Sequence, residues 1–137
     1  MDAMEQWIFD DRWFELDGAV LLKGWHASYH GDRARFTDTT GYELAVNGRG
    51  IPDLDLAEEG EARAERLRGR GVAFAEAALK RAEKDLPHVE VVAYVSVSPT
   101  LFDPDRYTGN VTFCAVRQGD PPYPDAIEIR QRAPRSR

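Results

Sequence analysis

The sequence predicts an α+β fold built on an antiparallel sheet, with helix packed on one face. Three observations point there. Strand-patterned segments lie on both sides of one helix-rich block, residues 56–85. From Val89 to Ser98 apolar and polar residues alternate, with Val89, Val91, Ala93, Val95 and Val97 on one side. Turn chemistry (Asp17-Gly18, Gly31-Asp32, Asp38-Thr39-Thr40-Gly41) punctuates the first third at short intervals, as in an antiparallel meander.

Trp7 to Phe9 and Trp13 to Leu16 are bulky runs too short for periodicity to separate a hairpin from a helical turn. Asp17-Gly18 is a two-residue hairpin signal, because both residues tolerate positive φ. Ala19 to Tyr29 reads as strand, Arg33 to Thr37 as a second, and Tyr42 to Val46, with Tyr42, Leu44 and Val46 on one side, as a third. Gly48-Arg49-Gly50 leads out of the meander and resembles a phosphate-binding loop only faintly, since neither the Walker lysine pattern nor the dinucleotide glycine pattern is present.

Asp55 and Glu58 are spaced as an N-cap and its capping-box partner for a helix over 56–85. In that block Leu67, Phe74, Ala78, Leu79, Ala82 and Leu86 recur at helical spacing and should face the sheet. Gly69 and Gly71 mark either a break into two helices or a close crossing over the sheet. Arg63, Arg66 and Arg70 read as a solvated face laced with i,i+4 ion pairs. Pro87 stops the helix, and three strands follow, over 89–97, 110–116 and a short one at Ile127 and Ile129. A single domain over 1–131 with a basic tail, 132–137, is expected.

At 137 residues, with 42% hydrophobic and 31% charged residues, the chain can bury a full core without disulfide or metal. Its single cysteine, Cys114, excludes an internal disulfide and the Cys₄ and Cys₂His₂ zinc patterns, and reads as a small buried apolar residue. No apolar run approaches the length of a membrane span, and the acidic N-terminus lacks a signal-peptide pattern, so a cytoplasmic location is expected.

The formal charge is −6. Residues 1–55 hold eleven acids against five bases, whereas 56–86 and 87–137 are each balanced. An acidic face repels phosphate backbones, so nucleic acid is not an expected ligand.

His26 and His30 are the histidine pair closest in sequence. On a strand, four residues span about 13 Å, too far for two imidazoles to share one ion, and no metal or other cofactor is expected. A triad drawn from Ser28, a neighbouring histidine and Asp38 lacks the turn that exposes a nucleophilic serine. Asp10-Asp11 and Asp103 with Asp105 read first as turn residues.

Two functional expectations follow. The preferred one is a non-catalytic protein-binding module: a small acidic inhibitor, immunity-type factor or assembly subunit whose partner carries a basic surface. Its predicted contact residues are Asp10, Asp11, Trp13, Glu15 and Asp17, where aromatic and acidic side chains are dense. The alternative is a small enzyme or ligand-binding protein using His26, Tyr29, His30 and nearby carboxylates in a cavity beneath the helix. No membrane association is expected; self-association is compatible with either reading.

Overall fold

The computed structural model describes residues 7–119 and 121–131. The basic tail and the acidic residues Asp2, Glu5 and Asp120 lie outside them.

Strands β1 (Trp13–Leu16) and β2 (Ala19–Leu22) form an antiparallel hairpin. Its turn takes positive φ at Asp17 (49°) and Gly18 (82°), as that dipeptide favours. Helix α1 (Lys23–Ala27), a 3₁₀ turn (Arg33–Arg35), helix α2 (Thr39–Val46) and strand β3 (Gly48–Gly50) follow. Helix α3 (Gly60–Asp85) is one unbroken element. Strands β4 (Val91–Pro99), β5 (Tyr107–Ala115) and β6 (Ile127–Arg130) complete an antiparallel four-stranded sheet of order β3-β5-β4-β6. The fold is α+β, with α3 packed on one face of that sheet.

The period-2 reading of β4 and β5 holds in detail. Val91, Ala93, Val95, Val111 and Phe113 are buried together against Leu67, Phe74, Ala78 and Leu79 of α3. Val92, Tyr94 and Cys114 point to the opposite face, where Leu44, Val116 and Ala126 pack on them. Gly71 lets the helix approach: a Cβ there would lie 2.7 Å from Val95 and 2.9 Å from Ile51. At Gly69 a Cβ would meet nothing within 4 Å. The helix crosses the sheet closely and does not break.

The meander is where expectation and structure part. Beyond Leu22 the chain turns helical because Asp11 reaches across: its carboxylate accepts the N–H groups of Gly24 at 2.8 Å and Trp25 at 3.3 Å, satisfying the free donors of a helix start. Arg33 to Arg35 forms a 3₁₀ turn whose Ala34 N–H is taken by the Asp32 side chain. Tyr42 to Val46 is helix, capped by Asp38, which accepts from Gly41 N–H at 2.8 Å. In α2 the buried residues Tyr42, Glu43 and Val46 follow a helical stripe, which outweighs the apparent alternation.

Two further expectations are corrected at α3. The helix begins at Gly60 after Glu59, which makes no side-chain cap, so Asp55 and Glu58 are not its capping box. Arg63 and Arg70 are buried, not solvated. Arg63 bonds Asp53 at 2.6 Å and the carbonyls of Tyr107 and Leu56, while Arg70 grips both oxygens of Asp55 and the Pro52 carbonyl. Segment 51–59 therefore lies over the helix and is held by these bonds. Buried guanidinium groups need such carboxylate and carbonyl partners.

Candidate functional site

The predicted contact residues of the acidic third do not form one surface with an aromatic anchor. Asp10, Glu15 and Asp17 are exposed, but Asp11 is committed to α1. Trp13 is only 4% exposed: its ring meets Phe113 edge-on, its indole N–H donates to the Ala78 carbonyl at 2.9 Å, and its backbone N–H donates to Asp85. Burial raises the Asp85 pKa, but the Trp13 N–H and the Arg81 guanidinium outweigh it and hold the carboxyl below its usual value. Trp7 stacks on Phe74 with centroids 3.7 Å apart, and Phe9 meets the same ring edge-on. These aromatics join the N-terminal segment to α3.

The alternative set is also spread out. His26 sits in the last turn of α1 with its ring against Phe14, and His30 is exposed beyond the helix. The strand spacing on which their separation was argued is absent. Tyr29 packs edge-on against Tyr42. Tyr29 and His30 line a shallow hollow with Asp32, Arg35 and Phe36, and His26 is not among its lining residues. Ser28 Oγ donates to the Trp25 carbonyl and accepts from Arg49, whose guanidinium lies over the Trp25 ring. Among the described residues, no group of three or more His, Cys, Asp or Glu side chains is placed to hold a metal ion.

A buried polar cluster that the sequence reading missed joins the two sheets. Glu43 on α2 and Asn47, the residue that caps its C-terminus, lie one turn apart and are both fully buried. Glu43 accepts the N–H groups of Val20 and Ala115 and pairs with both terminal nitrogens of Arg117, at 2.5 and 3.0 Å. Asn47 accepts from Leu22 N–H and donates to the carbonyls of Val20 and Phe113. β3 ends its pairing with β5 at Thr112, so beyond that point β5 has a bare edge. The two side chains supply the missing ladder partners to that edge and to β2 at once. This role is architectural, since the cluster's atoms are occupied by backbone.

On the face away from α3, a recess of about 120 Å³ lies over Tyr94 and Cys114, flanked by Arg117, Glu128 and Arg130. Burial, helped by the Glu43 charge, pushes the Cys114 thiol up to about 12, which leaves it protonated and unreactive at neutral pH. Arg117 is engaged by Glu43 and Arg130 by Glu128. Among the described residues, the recess therefore presents no uncommitted charge and no activated nucleophile.

The β4–β5 connection is different in kind. Leu101 is 95% exposed and Phe102 is 97% exposed, side by side at its tip. The loop beneath them is tied down. Thr100 N–H donates to the Arg106 carbonyl, Thr100 Oγ1 and Arg106 N–H both donate to the Asp103 carbonyl, and the Asp103 carboxylate accepts from Asp105 N–H. Gly60 N–H at the start of α3 donates to the Asp105 carbonyl at 2.7 Å. Arg63 anchors the root at Tyr107 and also holds Asp53, beside the 91%-exposed Leu54. Two apolar side chains are thus displayed on a braced loop, with exposed Asp103, Asp105 and Arg106 around them. The sequence carried a signal: Leu101-Phe102 is an apolar pair inside a loop otherwise made of turn residues. Comparison with known proteins identifies no relative, since no protein-family model, curated protein or solved structure matches the chain.

Proposed function

We propose that this protein is a non-catalytic protein-binding module that docks through the tip of the β4–β5 hairpin. The observation that carries this reading is the near-complete exposure of Leu101 and Phe102 on a hydrogen-bonded loop. Burying two such side chains is worth about 1.5–3 kcal/mol each. A braced loop loses little conformational freedom on docking, so more of that gain becomes affinity. The partner is a protein with an apolar pocket, and basic groups at its rim complement Asp103 and Asp105. The net charge of −6 steers encounter with such a surface. The same acids repel anionic lipid headgroups and nucleic-acid phosphates, which disfavours those surfaces as the target of the tip.

The binding reading is thereby moved from Asp10, Asp11, Trp13, Glu15 and Asp17 to the opposite half of the chain. Exposed acids of the N-terminal third remain as a source of steering, without an anchor. Replacing Phe102 by Ser should weaken binding to a purified partner by about 2 kcal/mol or more, mainly through faster dissociation, as expected of a hot spot. Leu101→Ser should act in the same direction. Neither residue packs in the core, so thermal melting should be unchanged. Partner binding by Phe102→Ser at wild-type affinity would refute the assignment.

A further inference from the structure

Strand β6 ends the four-stranded sheet, and its outer edge can be read from the hydrogen-bond directions. Ile51 N–H donates to Gly109 O, Asn47 donates to Phe113 O, and Glu43 accepts from Ala115 N–H. The odd-numbered residues of β5 therefore direct their backbone groups away from β4. Their partners in the β4·β5 register, Val91, Ala93 and Val95, must direct theirs toward β6. In the β4·β6 register Ala93 meets Ile129 and Val95 meets Ile127, so these isoleucines use their backbone groups on β4. Glu128 and Arg130 are left with N–H and C=O groups pointing outward along an edge that is free among the described residues.

An unpaired edge is a template for another strand, and shortness, charge, proline or a cover weakens that tendency. Here the two outward-paired residues carry opposite charges. That composition would accept a second copy of the same strand in antiparallel orientation. Three two-fold registers keep outward backbone groups facing each other. Centring on Glu128 sets carboxylate against carboxylate, and centring on Arg130 sets guanidinium against guanidinium. Centring on Ile129 places Glu128 opposite the second copy's arginine and Arg130 opposite its glutamate, on both sides of the axis. Cross-strand charge pairing selects the last register. In the single chain Arg130 bonds its own Glu128 at 2.7 Å on an exposed surface, a contact exchanged at small cost for its equivalent in a copy. On the other face Ile129 lines the edge beside Leu79 of α3, and it and Ile127, 40% exposed, would be covered by the same pairing.

We propose that β6 pairs with β6 of a second copy about a two-fold axis at Ile129, joining two four-stranded sheets into one of eight. The surface is independent of the hairpin tip. A four-residue strand pair is a small interface, so the dimer is a weak one.

Sedimentation velocity on the full chain from about 10 μM to about 1 mM should show a monomer–dimer equilibrium. Glu128→Pro removes an outward N–H that no intrachain bond uses and should give a folded monomer throughout that range. Glu128→Arg and Arg130→Glu, each alone, put like charges in register and should weaken association about 10-fold. The double exchange, Glu128→Arg with Arg130→Glu, should restore it. A wild-type chain monomeric at the highest concentration overturns the proposal, as does a dimer that survives Glu128→Pro. Failure of the double exchange to recover what the single changes lose overturns it too.

Discussion

Glu43 is the residue on which the joint between the two sheets depends, and its type is legible only in hindsight. A glutamate in Tyr42-Glu43-Leu44 reads as the polar side of a strand, whereas in α2 it points inward to Val20, Ala115 and Arg117. Glu43→Ala would leave two buried backbone donors unsatisfied and remove the carboxylate partner of the exposed Arg117 guanidinium. A loss of about 3–5 kcal/mol in urea unfolding is expected. Asp85 is the corresponding tie between β1 and α3, and its charge links stability to pH. Its folded pKa is lowered from 3.8, so the unfolded chain binds the proton more readily. The stability it adds is present above pH 3.8 and is lost as pH falls through the folded value. Asp85→Asn should therefore be less stable than wild type at neutral pH, with the difference narrowing below that range in acid titrations of thermal unfolding. Trp13 was legible as an aromatic of consequence, open to core packing as well as to a partner face, because composition does not say which side of a hairpin meets a helix.

The elements divide by the range of the interactions that make them. β4, β5 and α3 were readable because their patterns extend over enough residues for one period to prevail, whereas the four-residue β6 showed only the pair Ile127 and Ile129 after a proline-rich turn. The segment 23–46 was not, because each helical start in it is set by one carboxylate at a position alternation does not weigh. Asp11 caps α1 from twelve residues before its start and Asp38 caps α2 locally. Likewise the Arg63 and Arg70 clamps bring down 51–59 through pairs distant in sequence, where helical spacing alone suggested a solvated face. Helix α3 offers a paired test. Gly69→Ala adds a methyl to open space and should stabilise the protein by about 0.5–1 kcal/mol from helix propensity. Gly71→Ala drives a methyl into Val95 and Ile51 and should destabilise it by about 1–3 kcal/mol through overpacking. Equal effects in thermal melts would mean that the helix does not cross the sheet as closely as described.

At the scale of the whole molecule, polar pairing is spent on architecture almost everywhere, and the adjacent pair at the hairpin tip is the most exposed of the large apolar side chains described. Glu43, Asn47, Arg63, Arg70 and Asp85 are all turned to backbone or to a paired side chain. Leu101 and Phe102 contribute little to the core yet stand on a loop whose hydrogen bonds hold it in place. A functional contact at the tip accounts for both facts. The expectation of a binding module came from missing catalytic motifs and segregated acidity, and neither observation located the anchor. Exposure is what points to the proposed one, and exposure is a tertiary property. The most direct measurement is photo-crosslinking in the native cell with a benzophenone side chain placed at Phe102, compared with one at exposed Ala62 on α3. The account predicts one discrete crosslinked protein from position 102 that is missing from position 62 and lost when Leu101 is changed to Ser. The same diffuse products from both positions would contradict it.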